Sequence, residues 1–106
     1  MLTQADRKIA REFQRRLEAA MPVLDMRIFG SRARGEATFN SDMDVFIEVE
    51  HLSPELHRRI EDIAWEVGFV LDCVITTIVV TRDQLEHGPL GASPLLLNIE
   101  REGVRP

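Results

Sequence analysis

Two features of the stretch RIFGSRARGEATFNSDMDVFIEVE, residues 27–50, could do chemistry. Gly30-Ser31 follows the apolar pair Ile28-Phe29, and Asp42 and Asp44 interleave with apolar residues where a strand ought to be greasy. Crowding two carboxylates costs several kcal/mol unless something positive sits between them. Residues two apart on a strand project to the same side with Cα atoms ~6.5–7 Å apart. Both acids could then reach one or two Mg²⁺ ions, which take oxygen ligands at ~2.0–2.1 Å. Such ions bridge nucleotide phosphates and stabilise the attacking and leaving oxygens of an in-line displacement. Gly30-Ser31 is the complementary half: glycine lets backbone approach a phosphate, and the following amides and the Ser31 hydroxyl can donate to it. Arg32 and Arg34 could add charge-assisted bonds. The P-loop pattern is absent, because no Gly-Lys-Ser/Thr follows. For the two aspartates alone, a solvated sheet face would explain as much; the nearby Gly-Ser corner favours the cation.

The elements that must position these residues are legible. Thr3 reads as an N-cap with Asp6 three residues on, and Ala5, Ile9, Phe13, Leu17 and Ala20 recur at helical spacing. Residues 4–20 are therefore an amphipathic helix, ended by Pro22. Residues 23–29 alternate as a half-buried strand, and SRARGEATFNS reads as a loop with at most a helical turn. Residues 42–50 form a second strand, with Met43, Val45, Ile47 and Val49 on its apolar face and Asp42, Asp44, Phe46, Glu48 and Glu50 on the other. Ser53-Pro54 starts a helix that Gly68 should end. Residues 69–80, FVLDCVITTIVV, read as a strand central in the sheet or covered on both faces. Thr81 and Gln84 suggest a short capped turn, HGPLGA a loop, and Ser93-Pro94 a last short helix closed by Gly103. The expected order is α-β-β-α-β-α: an α+β domain with helices on one face of a small mixed sheet, the face bearing Asp42 and Asp44 left open.

The totals fit one domain spanning 1–106. Apolar residues make up 44% and charged residues 29%, an ordinary globular balance. A formal charge of −5 argues against a domain built to grip nucleic-acid phosphates, yet a metal and local arginines can still hold one nucleotide. No apolar run approaches the ~20 residues of a membrane helix, and MLTQADRKIAREF lacks a secretory apolar core, so a cytoplasmic location is expected. Cys73 lies in an apolar run and reads as a small buried hydrophobe. His51, His57 and His87 show no metal spacing, and Glu48 and Glu50 read as exposed. Trp65 falls beside its helix's apolar stripe, as core edge or as an exposed anchor for a partner.

Gly-Ser, ten residues, then Asp-x-Asp between apolar strand residues resembles the nucleotidyltransferase superfamily that includes DNA polymerase beta. FGSRARGEATFNSDMDVFIEV is similar to the minimal nucleotidyltransferases, or MNT domains, often encoded beside a helical HEPN protein as antitoxin and toxin. The motif covers about a fifth of the chain, and the order of elements extends the likeness over most of it. The resemblance implies Mg²⁺-dependent transfer of a nucleoside monophosphate, AMP from ATP, to a hydroxyl of a HEPN-type partner. It implies that Gly30 and Ser31, with Arg32 and Arg34, hold the nucleotide, and that Asp42 and Asp44 ligate the metal. A membrane or nucleic acid is not an expected ligand, whereas self-assembly of so small a domain is.

The family's third carboxylate is less plain. Anchoring on the helix end matches Asp72 in LDCV; anchoring on TRDQL puts Ile78 at that place, with no acid. The two positions lie ~20 Å apart along a strand and cannot replace each other. With Asp72, the chain is an enzyme whose catalytic acids are Asp42, Asp44 and Asp72. Without it, a general base is missing, and the domain is a weak or inactive transferase that neutralises its partner by binding. An antibiotic-modifying transferase fits less well, because the additional helical domain that holds such an acceptor is not in this sequence.

Overall fold

The computed structural model describes residues 1–38, 40–89 and 93–106; position 39 and part of the expected HGPLGA loop, 90–92, lie outside the described residues. The chain begins with α1 (Gln4–Ala20), capped by a complete capping box: the Thr3 hydroxyl accepts from the Asp6 amide, and the Asp6 carboxylate accepts from the Thr3 amide. Ile9, Ala10, Phe13 and Leu17 are buried, but Ala5 and Ala20 are exposed, so the buried stripe is narrower than the spacing suggests. Strand β1 (Asp25–Phe29) leads directly into a five-residue helix, α2 (Gly30–Arg34), and then β2 (Met43–Val49). Helix α3 (Pro54–Leu71) starts at the Ser53 cap with Pro54 in its first turn. It is followed by β3 (Ile75–Thr81), the capped turn α4 (Arg82–His87) and α5 (Pro94–Glu102).

The strands order β1-β2-β3, with β1 antiparallel and β3 parallel to β2. The central strand is therefore β2, and the expectation that residues 69–80 form a central strand is corrected on two counts. Helix α3 runs through Gly68 to Leu71, and the strand starts only at Ile75, on the sheet edge. Interior glycine costs only ~1 kcal/mol relative to alanine, and here it is needed. A Cβ on Gly68 would run into the Cys73 carbonyl oxygen, because the chain folds back over the helix there.

Met26, Ile28, Met43, Val45, Ile47 and Val49 face α1 and α3, meeting Phe13, Leu17, Ile60, Ile63 and Val67 in the main core. The parity read from the sequence thus holds for β2. The opposite face is not uniformly open. Phe46 and Val80 are covered by Leu96 and Ile99 of α5, which closes the Glu48 end. The two long helices share one face as expected; α5 departs to the other. Strand register arranges that second face in rows: Phe29–Asp44–Thr76 at the open end, Arg27–Phe46–Ile78 in the middle, and Asp25–Glu48–Val80 at the closed end.

Candidate active site

The Gly-Ser corner and Asp44 meet. Gly30 follows the β1 residue that pairs with Asp44, and it takes φ +75, a left-handed conformation that glycine adopts without cost. A Cβ there would collide with the Asp44 Oδ2 oxygen. Only glycine lets the backbone turn from strand into helix while the carboxylate lies against it. Phe29, at the N-cap of α2, provides no side-chain hydrogen bond, so nothing from the cap competes with a ligand for the first amides. Among the described residues the Ser31 hydroxyl has no hydrogen-bond partner.

Asp44 is half-buried, and its Oδ1 accepts a 2.8 Å hydrogen bond from the Thr76 hydroxyl on the neighbouring strand. Asp42 is exposed, just before β2, and no described residue pairs with its carboxylate. Neither acid is locked by a described arginine. The pair offers hard oxygens in open space, the donor type that suits Mg²⁺. Among the described residues no group of three or more His, Cys, Asp or Glu could hold a metal. An ion here would take two carboxylates and complete its shell with phosphate oxygens and water, which is how Mg²⁺ is usually held beside nucleotides.

Arg32 is bonded within the fold. It is buried, and its Nη1 lies 2.6 Å from Asp6 Oδ1 on α1, while its Nε donates to the Ser41 carbonyl at 3.1 Å. The guanidinium thus ties α2 to α1 and to the chain entering β2. Burial works to raise the Asp6 carboxyl, but the bonds from Thr3 and Arg32 outweigh it and hold it below the usual carboxylate range. Asp6, which the sequence presents as a cap residue, is therefore also half of a buried ion pair. Arg34 is exposed, 3.2 Å from Glu36 and 3.7 Å from Glu102, and it remains at the surface beside the corner.

Asp72 is not on β3. It caps the C-terminus of α3 in the left-handed region, φ 56, with an exposed side chain. Ile78 stands abreast of Phe46, and the residue abreast of Asp44 is Thr76. Neither sequence register found Thr76, because only acids were sought at that place; period-two alternation within ITTIVV puts it on the same side as Ile78 and was the available signal. Asp72 and Thr76 nevertheless line one groove, shared with Ser41. Glu48, expected to be exposed, is buried, and its Oε2 lies 2.9 Å from Arg82 Nε.

The family profile described as nucleotidyltransferase domain matches residues 6–102. A crystal structure of a toxin–antitoxin with AMP-PNP superposes with a TM-score of 0.63 at 17% identity, over 91% of this chain and 70% of that one. A candidate nucleotidyltransferase from Sulfolobus solfataricus gives a TM-score of 0.51 at 23% identity, over 73% of this chain and 68% of its own. At such identities the two likenesses show the fold alone. No curated protein gives a significant match.

Proposed function

The chain belongs to the nucleotidyltransferase domain family, and from that premise we propose that it transfers a nucleoside monophosphate, AMP from ATP, to a hydroxyl of a helical HEPN-type toxin and so acts as its antitoxin. The observation that carries this reading is the contact of Gly30 with Asp44, which puts a phosphate-accepting backbone corner against a carboxylate that no described arginine neutralises. In this account the amides after Gly30 and the Ser31 hydroxyl donate to the triphosphate, with Arg34 at the rim. Asp42 and Asp44 would hold Mg²⁺, which when bound neutralises phosphate charge and polarises the α-phosphate. Thr76 fixes the rotamer of Asp44 through its hydrogen bond. The acceptor hydroxyl attacks the α-phosphorus in line, and pyrophosphate leaves on the opposite side. Asp72, exposed and lining the same groove as Thr76, is the residue assigned to take the acceptor's proton. The neighbour solved with AMP-PNP as a toxin–antitoxin motivates the choice of nucleotide and partner.

A second reading has its own support. A hydroxyl, and not a third carboxylate, stands abreast of Asp44. If Asp72 takes no proton, transfer is slow or absent and the domain silences its partner by binding. Incubating the protein with Mg²⁺, α-labelled ATP and the toxin separates the two. Label on the toxin, lost in Asp42→Ala and Asp44→Ala and reduced at least tenfold in Asp72→Ala, supports the enzyme. Inhibition without label, surviving all three substitutions, supports the binder.

A further inference from the structure

We propose that the groove between α3 and the outer edge of β3 is the docking site for an extended segment of the acceptor protein, rich in basic and apolar residues. The proposal rests on the transferase reading above. The groove encloses about 710 Å³. Its lining includes Ser41 and Thr76, and Thr76 bonds Asp44; Trp65, Phe69 and Val74 line it too. One groove therefore holds both the hydroxyl that bonds Asp44 and exposed apolar side chains.

That patch is unusual for a surface. Trp65 and Phe69 are 68% and 73% exposed, and their rings stack at 5.2 Å with a 14° angle. Val74, which lines the same groove, is also exposed. Contiguous exposed apolar side chains of this kind mark interaction sites, and aromatic residues are the usual anchors. β3 pairs only with β2, and no described strand covers its outer edge. An extended segment laid there can add backbone hydrogen bonds as well as side-chain contacts.

Three considerations select the occupant. First, the only charged residues among the described groove lining are Glu61 and Asp72, and none is basic. A partner bearing arginine or lysine meets complementary charge, and its cation can stack on the Trp65 face. Second, a symmetric contact between two copies of this chain would oppose the patch to itself, bringing only further acidic charge to Glu61 and Asp72 from the same lining. Third, β2 separates two sides of the site. Gly30 reaches Asp44 from the β1 side and Thr76 from the β3 side. A polyphosphate seated at the Gly-Ser corner leaves the acidic β3 side for the acceptor, and that rim repels a second polyanion.

A displayed library of random nonapeptides, selected on the full chain, is the probe. Fluorescence of Trp65, the single tryptophan of the sequence, reads binding. The expected result is enrichment of net-positive peptides with aliphatic or aromatic residues. Their affinity should fall at least tenfold in the Trp65→Ala/Phe69→Ala variant, read by competition, and in Glu61→Lys/Asp72→Lys. Both variants change exposed side chains, and circular dichroism checks that they stay folded. The Asp44→Ala variant should bind the peptides as wild type does, so loss of docking and loss of transfer are read separately. Failure to enrich basic peptides, or equal affinity for the double-alanine variant, overturns the proposal. So does displacement of the peptides by Mg·ATP, which would give the groove to the nucleotide, or dimerisation in sedimentation that Trp65→Ala abolishes.

Discussion

Asp44 and Glu48 sit on the same strand and the same face of the sheet, one helical-turn's count of residues apart in sequence, yet their surroundings differ in kind. Glu48 is buried, abreast of Val80, with Arg82 at 2.9 Å. Asp44 sits in the open row, restrained by one hydroxyl and by a glycine that yields it space. A carboxylate paired with arginine has its charge answered within the fold. A carboxylate answered only by a hydroxyl keeps lone pairs for something from outside. The same contrast separates the two cationic residues of the GSRAR helix: Arg32 is spent on Asp6 within the fold, whereas Arg34 stays at the surface.

The comparison breaks most severely if the buried lock behind the corner is removed. Arg32→Ala leaves Asp6 buried without its cation, and the expected loss is about 3–5 kcal/mol in chemical denaturation. Asp6 has a folded pKa below its unfolded value of ~4, so its stabilisation is complete above that value and is lost as the pH falls through the lower folded one. Asp6→Asn should therefore flatten the acid limb of stability measured below about pH 4. An unchanged acid limb would mean that the pair contributes nothing.

Gly30→Ala comes next. Its backbone conformation costs an L-residue about 1–2 kcal/mol, and the new methyl displaces Asp44 as well. Nucleotide transfer should drop at least tenfold while the fold survives. Glu48→Gln sharpens the contrast from the closed end: a small loss of stability in chemical denaturation from the weakened pair with the half-exposed Arg82, with nucleotide affinity unchanged. Thr76→Val has the smallest effect on stability, within about 1 kcal/mol, but it frees Asp44 and should slow transfer several-fold. If Thr76→Val is silent in transfer, the hydroxyl does not position the acid.

Local chemistry was readable and long-range chemistry was not. Thr3 with Asp6, Ser53-Pro54 and Ser93-Pro94 all mark helix starts, because a cap is satisfied within four residues. The two faces of β2 follow from its period of two. The bond of Arg32 to Asp6 is not legible because its partner lies 26 positions away. The end of α3 was misread because Phe69, Val70 and Leu71 are apolar and look like strand, while the reason a helix tolerates Gly68 is a carbonyl returning from Cys73. Thr76 is hidden because the family pattern calls for an acid at that place and threonine is a hydroxyl, although the alternation of ITTIVV carries it to that face.

The claim on which the rest depends is that the Gly30-Ser31 corner and the Asp42/Asp44 pair form one pocket for a magnesium-bound polyphosphate. Calorimetric titration of ATP with Mg²⁺ into the wild-type chain, Asp44→Asn and Glu48→Gln tests it directly. The account predicts one site per chain that vanishes with a chelator and in Asp44→Asn and persists in Glu48→Gln. Absence of binding to the wild type, or equal binding by Asp44→Asn, would contradict it.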